Sequence, residues 1–391
     1  MIYLPPGKSI KRFMLSHFLL ECQFWFPVWL IFLTQKEFSL TTIVLADGVF
    51  RFTLVALEFP MGLLSDRIGR KKSYLLICLL AIITYAGIVF IQGKVMLFSV
   101  WILWGIFWAL LSGVPTSYCY ELIVKEKLEN ESVRIIGFLK AVSNVAALVS
   151  HLIAGFLFAL LAELPFLVNG FFAIGALAMA FILPEIKEEY QPTRRSQRST
   201  FRDFLKMPAS DPVFKACVII LALLLIFFWS PRILMQPLFI ELELSATMVS
   251  LVYFFYSLAG IGAGLSAHFF SRLLATRVIL LISLMMIWAG ILLIGTVPGI
   301  WSILFFPLLS FGFYLGQTLL EFLLHQRLEN RYRASLFSLV SFLGGIVIIF
   351  SRPGLGIIAD QYDTPFAFFL WSGLGVVVLP VTWYYSRILM K

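Results

Sequence analysis

Long apolar runs dominate this chain and restrict what it can fold into. Runs of about 20 residues recur along it, the helix length that crosses a hydrocarbon core roughly 30 Å thick. Of the 391 residues, 61% are hydrophobic and 13% are charged, a composition that no soluble protein of this size requires. We predict an all-α polytopic membrane protein with twelve transmembrane helices. The predicted spans are 12–34, 41–64, 73–93, 96–123, 132–160, 163–183, 212–240, 246–270, 277–296, 300–326, 334–359 and 364–388.

The basic residues concentrate on one predicted side of the membrane. The chain carries 30 lysines and arginines and a net charge of +9. Most of them fall in segments that we assign to the cytoplasm, whereas Lys36 and Lys94 fall outside. By the positive-inside rule this distribution places both termini in the cytoplasm. The charge therefore indicates orientation in a cytoplasmic (inner) membrane, and it gives no support to nucleic-acid binding.

The chain divides into two halves that repeat. The longest connection, 184–211, separates six predicted spans from six, so we expect an N-terminal bundle at 1–183, a cytoplasmic linker and a C-terminal bundle at 212–391. Glu121 is followed by the sequence KLEN at 127–130, and Glu321 is followed by RLEN at 327–330. Two pseudo-symmetric six-helix bundles are the expected fold, since many transporters are built from such repeats.

A short basic turn joins the second and third spans. It reads GLLSDRIGRKK from Gly62 to Lys72. Gly62 can admit a close helix, and Gly69 permits a tight turn. Asp66 can bond to the N-terminus of a neighbouring helix, and Arg70 can form paired hydrogen bonds to a carboxylate. An ordinary basic loop that obeys the positive-inside rule is the alternative.

This turn resembles the loop between helices two and three of the major facilitator superfamily, G-x-L-x-D-R-x-G-R-[RK]-[RK]. The preceding Glu58-Phe59-Pro60-Met61 looks like the lead-in of its bacterial drug-efflux-like members. The resemblance extends over nearly the whole chain and implies alternating access around a midplane site. One departure is the absence, on the fifth span, of the glycine-proline signature of many proton-coupled drug antiporters. Only Gly137 and Gly155 are present there.

The resemblance also implies a cytoplasmic gate. In the family's sugar-porter branch an acid at the ends of helices four and ten precedes a cation and pairs with arginines of the basic loop. Glu121 with Lys127, and Glu321 with Arg327, are similar, with a spacing one residue shorter. A role of the two glutamates in carrying protons is the alternative. The predicted gate consists of Gly62, Asp66, Arg67, Gly69, Arg70, Lys71, Glu121, Lys127, Glu321 and Arg327.

Ionisable residues within spans are costly, so each needs a partner, a wet cavity or a function. Helical spacing places Arg51 and Glu58 on one face of the second span, and Lys140, Asn144 and His151 on one face of the fifth. In the second half, Arg232 and Arg352 each lie beside a proline. The resemblance implies that the first-half groups line a cavity. Buried ion pairs that lock helices, and arginines that reach the outer interface, are the alternatives. The predicted substrate contacts are Arg51, Glu58, Lys140, Asn144, His151, Arg232 and Arg352.

Proton coupling requires an acid whose proton affinity changes with conformation. Glu21 and Asp47 are the candidates, because neither belongs to the loop motif and each lies near a potential cation. Asp47 is four residues from Arg51 on the same helix face, which favours its ionised form. Glu21 has only His17 on its own helix. We therefore predict Glu21 as the proton carrier, with Asp47 as the next candidate.

We predict a secondary transporter that moves a small organic solute with protons. Export of an amphiphilic compound is the first choice, because the loop and its lead-in look efflux-like. Uptake of an organic anion by proton symport is the alternative, supported by Arg51, Arg232 and Arg352. The sequence shows no paired metal motif, nucleophile elbow or phosphate-binding loop, so an enzyme is not expected. The expected partners are the lipid bilayer, the solute and protons. We expect a monomer without metal or cofactor.

Overall fold

The computed structural model describes residues 7–186, 212–327 and 330–388. Within these ranges the secondary structure is helical, without a β-strand. The α-helices are α1 Lys8–Glu21, α2 Trp29–Gln35, α3 Leu40–Ile68, α4 Arg70–Val89, α5 Gly93–Leu111, α6 Val114–Lys125, α7 Ser132–Leu160, α8 Leu164–Ile182, α9 Pro212–Trp229, α10 Met235–Glu241, α11 Ala246–Leu273, α12 Thr276–Thr296, α13 Phe306–Arg327, α14 Asn330–Gln361, α15 Thr364–Gly373 and α16 Gly375–Ser386. Short 3₁₀ segments are Glu129–Glu131, Pro231–Leu234 and Gly299–Phe305.

These helices correspond to the twelve predicted spans, but several of the predicted spans are interrupted in the structure. Ten segments of the described chain are long and apolar enough to cross a membrane. The first predicted span is divided between α1 and α2, so neither piece is long enough alone. The fourth, seventh and twelfth spans are also interrupted, and the tenth begins as a 3₁₀ segment. The architecture is a twelve-helix fold with locally broken spans.

Contacts divide the chain into two compact units. One consists of Met1–Tyr190 with Ser245–Phe254, and the other of Gln191–Leu244 with Phe255–Lys391. Most of the predicted linker lies outside the described residues, so its limits stay a prediction. Within the first unit α3 packs closely on α5 at Gly105, where an added Cβ would lie 2.7 Å from the Cβ of Thr53. A small residue is needed at that crossing.

The first span is broken at 22–28, between α1 and α2. Pro27 has no backbone N–H, and the N–H of Phe26 donates to the carbonyl of Gln23 at 3.1 Å. The carbonyl of Cys22 therefore loses the partner that a continuous helix would supply. The side chain of Asn169 in α8 replaces it: its amide donates to that carbonyl, and its oxygen accepts from the N–H of Trp25 at 3.1 Å. One side chain thus satisfies both backbone groups of the break.

The seventh span is broken in the same way at 230–234. Pro231 cannot donate to the carbonyl of Phe227, four residues earlier. The indole Nε1 of Trp371 in α15 donates to that carbonyl at 3.2 Å. Nearby, Nη2 of Arg352 donates to the carbonyl of Trp229 at 3.1 Å. In each half the broken first span is therefore completed by a side chain of the last span.

Two carboxylates fix the ends of these spans. Glu126, which follows α6, accepts from the N–H groups of Gly7 and Ser9 at 2.9 and 3.1 Å. Glu241, at the end of α10, accepts from the N–H of Thr364 at 3.2 Å through each oxygen. An anion satisfies the free N–H groups of a helix N-terminus and interacts favourably with its dipole. Each contact joins the first span of a half to another span.

Candidate functional site

The basic turn forms a compact charge cluster. Gly69 ends α3 and begins α4 with φ of +91°, a conformation that glycine adopts without steric cost. This places Arg70 at the start of α4, where Nη1 donates to Oγ of Ser65 at 2.9 Å and Nη2 donates to the carboxylate of Asp66. Nε of Arg70 lies 3.8 Å from Oε1 of Glu121. The structure therefore brings Asp66, Arg70 and Glu121 together, with Arg70 in the middle.

The other residues of the turn differ in their surroundings. Lys71 donates to the carbonyl of Phe181 at the end of α8, at 2.9 Å. Arg67 is exposed. Lys127, the predicted gate residue that follows α6, is also exposed and has φ of +57°. A Cβ placed on Gly62 would meet no described atom within 4 Å, so the expected close helix contact is not observed there. Asp66 contacts the side chain of Arg70 at the N-terminus of α4, not its backbone N–H groups as expected.

The corresponding position in the second half is only partly described. Glu321 is half-buried in α13 and accepts a hydrogen bond from Nε2 of Gln317 at 2.8 Å. Arg327 ends that helix, and its side chain lies outside the described part of the structure. The predicted pairing in this half therefore stays a prediction.

An acid and a histidine meet at the break in the first span. Glu21 is the last residue of α1, and its Oε1 lies 3.6 Å from Nε2 of His17. The same nitrogen is 2.9 Å from Oγ of Ser143 in α7. The side chains of His17 and Glu21 are only 4% and 14% exposed. The side chain of His17 thus connects the first span to the fifth.

The predicted cavity residues of α3 are unequally buried. Asp47 is buried, while Arg51 is half-buried with its guanidinium 5.3 Å from the ring centre of Phe50. Glu58 is half-buried. No ion pair within 4 Å joins Glu58 to another described residue, so the helix-locking alternative has no support at this position.

The predicted residues of α7 change from exposed to buried along the helix. Lys140 and Asn144 are exposed, and Lys140 forms no ion pair within 4 Å with another described residue. His151 is buried, and its ring stacks on Phe26 with centroids 5.3 Å apart. Phe26 lies in the break of the first span, so His151 packs against the same irregular segment that Asn169 completes.

In the second unit Arg232 lies between two aromatic rings. Its guanidinium is 4.4 Å from the ring centre of Trp229 and 5.5 Å from that of Tyr256, distances at which cation–π attraction operates. Arg232 lines a small cavity that is otherwise largely apolar. The cavity is lined by Phe228, Pro231, Arg232, Met235, Tyr256, Ile291, Leu309 and Phe368.

Arg352 is a buried residue, 5% exposed, that donates to the carbonyl of Trp229. Ser351 beside it donates to Oγ of Ser230 at 2.8 Å, in the break of the seventh span. Arg352 thus contacts the interruption to which Arg232 belongs.

Sequence reasoning missed Asn169 and Trp371, which complete these breaks, and Ser143, which contacts His17. Pro27 and Pro231 were available as signals that the spans are interrupted, because proline removes a backbone donor. No pattern in the sequence indicated the three partners. Asn169 is separated from Cys22 by 147 residues, so only the packed bundle pairs them.

Comparison with solved structures shows the same architecture. The nucleoside transporter NupG superposes with a TM-score of 0.76, covering 97% of this chain and 99% of that one at 12% identity. A D-xylose-proton symporter gives 0.72, covering 96% and 97% at 15% identity. The POT family transporter PepTSo gives 0.77, covering 100% and 99% at 12% identity. At such identities the similarity shows the fold alone.

Sequence comparisons agree with this fold. An uncharacterised MFS-type transporter, YxaM of Bacillus subtilis (strain 168), is 25% identical over 146 residues. That match covers 36% of this chain and 34%, about a third, of the relative. The family model of the Major Facilitator Superfamily matches residues 13–351, nearly the whole chain. This family indicates a transporter and not an enzyme, and the chain belongs to the Major Facilitator Superfamily.

Proposed function

We propose that the protein is a proton-coupled secondary transporter that moves a small organic solute across the cytoplasmic membrane by alternating access. The observation that carries the proposal is the Glu21–His17 pair, buried at a break in a membrane span. Ionisable residues are retained at such depth when they serve a pathway for ions or substrate. The protein acts as a monomer with both termini in the cytoplasm.

Glu21 is the proposed proton carrier. Its carboxylate is 3.6 Å from His17, and His17 in turn contacts Ser143 of α7. If α1 moves relative to α7, the imidazole of His17 changes hydrogen-bond partners, and the carboxylate of Glu21 gains or loses a hydrogen-bond donor. A hydrogen bond to the charged form of a carboxylate favours that form, so this movement changes the proton affinity of Glu21. Asp47, which shares a helix face with Arg51, is the second candidate.

The gate is proposed at the basic turn. Arg70 contacts Asp66 and Glu121, so one cation joins α3, α4 and α6. These side chains are partly exposed, and a single exposed ion pair contributes little to stability, about 1 kcal/mol or less. Such a contact can break and reform during a transport cycle, which is what a gate requires. Glu321 with Arg327 is the proposed equivalent in the second half.

Export of an amphiphilic compound is the first proposed activity, because the loop and its lead-in look efflux-like. The proposed substrate contacts are Arg51, Glu58, Lys140, Asn144, His151, Arg232 and Arg352. Uptake of an organic anion is the second candidate, favoured by Arg232 between Trp229 and Tyr256. A guanidinium held over aromatic rings can bind a carboxylate attached to an apolar group.

The test uses the purified protein in proteoliposomes that contain a pH-sensitive dye. Amphiphilic cations and aromatic carboxylates are added separately under opposite pH gradients. Export by antiport predicts proton movement opposite to the solute, whereas uptake by symport predicts internal acidification. No solute-dependent proton movement with any compound, together with solute flux that ignores the gradient, would contradict the proposed coupling.

Glu21→Gln tests the carrier. We expect it to abolish accumulation driven by a pH gradient and to preserve gradient-independent exchange, because a glutamine cannot release a proton. Glu37→Gln, at an exposed acid outside the site, is the matched control and should transport normally. If Glu21→Gln still concentrates solute against its gradient, the carrier is elsewhere and Asp47 is tested next.

A further inference from the structure

Two arginines from different helices meet on one tryptophan at the end of the last span. The guanidinium carbon of Arg387 is 3.4 Å from the ring centre of Trp383, and that of Arg277 is 5.3 Å from it. Arg277 is the second residue of α12, and Arg387 follows directly after α16. The start of α12 and the end of α16 lie together here, so the cluster lies where the membrane-spanning part of the second unit stops. The three residues are called the Trp383 cluster below.

The Trp383 cluster is positively charged without a counterion from the described chain. Neither Arg277 nor Arg387 lies within 4 Å of a carboxylate of a described residue. Nε of Arg277 is shielded from solvent and has no hydrogen-bond partner among the described residues. Two like charges that share one ring repel each other, and a shielded donor without an acceptor is unfavourable. Both costs are removed by an anion that accepts from the two guanidinium groups.

The start of α12 adds to this preference for an anion. The helix is preceded by Ala275, whose side chain cannot cap it, and its first turn contains no acidic residue. The first N–H groups of a helix carry a partial positive charge. This feature alone would not define a site, but here it lies beside the Nε of Arg277.

The surroundings favour a lipid as the source of the anion. Trp383 is 41% exposed and the neighbouring Tyr384 is 60% exposed, both in the last turn of α16. Tryptophan and tyrosine concentrate at the level of the lipid headgroups, where the ring is apolar and its edge is wet. Cationic pockets at the ends of membrane helices bind anionic headgroups.

We propose that Arg277 and Arg387, ordered on Trp383, bind the headgroup phosphate of an anionic phospholipid at this end of the second unit. The indole holds the two guanidinium planes in place by cation–π contact, and the exposed aromatic surface packs on the glycerol and acyl part of the lipid. The site is separate from the transport residues, so it does not depend on the proposed function.

The experiment measures thermal unfolding of the full-length protein in detergent while short-chain phosphatidylglycerol is added. Short-chain phosphatidylcholine and inorganic phosphate are added in parallel. We expect phosphatidylglycerol to raise the unfolding temperature by mass action, with little change from the other two. The variant Arg277→Gln/Arg387→Gln should bind phosphatidylglycerol at least about tenfold more weakly, by loss of two charge-assisted contacts. Arg272→Gln, at a nearby exposed arginine, is the matched control and should respond like the wild type.

Three results would overturn the proposal. Equal stabilisation of the wild type and the double variant would show that the lipid binds elsewhere. Equal stabilisation by inorganic phosphate would assign the cluster to a free anion, and equal stabilisation by phosphatidylcholine would remove the requirement for a net negative charge. If the double variant does not fold, quenching by brominated phosphatidylglycerol is compared in the wild type and Trp383→Phe. A quenched fraction that is unchanged by Trp383→Phe would also contradict the site.

Discussion

Asn169→Ala should destabilise the protein, because it removes both side-chain bonds that complete the first span. The amide of Asn169 donates to the carbonyl of Cys22 and accepts from the N–H of Trp25. Asn169 is 2% exposed, so water does not replace it. The substitution leaves one backbone acceptor and one backbone donor without partners in an apolar environment.

The expected loss of stability follows from the carbonyl of Cys22 and the N–H of Trp25, which both lose their partner. An unsatisfied buried polar group costs about 1–3 kcal/mol, which gives about 2–6 kcal/mol for the pair. Side-chain hydrogen bonds between membrane helices average only about 0.6 kcal/mol, because the freed groups often find other partners. Here another partner is hard to find, since Phe26 already donates to Gln23 and Pro27 has no N–H. We therefore expect a loss of about 2–4 kcal/mol.

Thermal unfolding of the detergent-purified protein measures this effect. At about 2–4 °C per kcal/mol for a unit of this size, Asn169→Ala should lower Tm by at least about 4 °C. Asn144→Ala is the matched control, because Asn144 is exposed on α7, and it should change stability by no more than about 0.5 kcal/mol. A Tm for Asn169→Ala equal to that of the Asn144→Ala control would refute the assignment of Asn169 as the partner of the break.

Two further predictions concern the turn and the second break. Asp66→Asn should impair transport in vesicles while insertion and Tm stay near wild type, because it removes the charge that holds Arg70; normal transport would contradict the gate. Trp371→Phe should cost about 1–3 kcal/mol in thermal unfolding, since the carbonyl of Phe227 loses its donor. Adding Pro231→Ala should recover part of that loss by supplying a backbone N–H, and no recovery would argue against this pairing.

The spans and the basic turn could be predicted because their causes are local. A run of about 20 apolar residues must cross a bilayer wherever it lies in the fold. Gly69 was expected in a tight turn, and its φ of +91° shows why glycine is placed there. The neighbourhood of Arg70 was partly predictable as well, since Asp66 is four residues before it on the chain.

The breaks in the first and seventh spans were less visible. The runs 12–34 and 212–240 are predominantly apolar, so hydropathy predicts continuous helices. Proline indicates where a helix loses a donor, but it does not indicate whether the chain bends or breaks. That outcome depends on whether another side chain can satisfy the freed groups.

The sequence by itself determined that this is a twelve-span membrane protein with repeated halves and a basic turn, because hydrophobic length, charge asymmetry and glycine conformation act within one segment. Only the tertiary structure decided which side chains complete the broken spans and which charges meet. Asn169 with Cys22 and Trp371 with Phe227 are pairs separated by more than a hundred residues. Their contacts arise because a backbone group in an apolar interior must find a partner, and packing of the helices selects which one lies within reach.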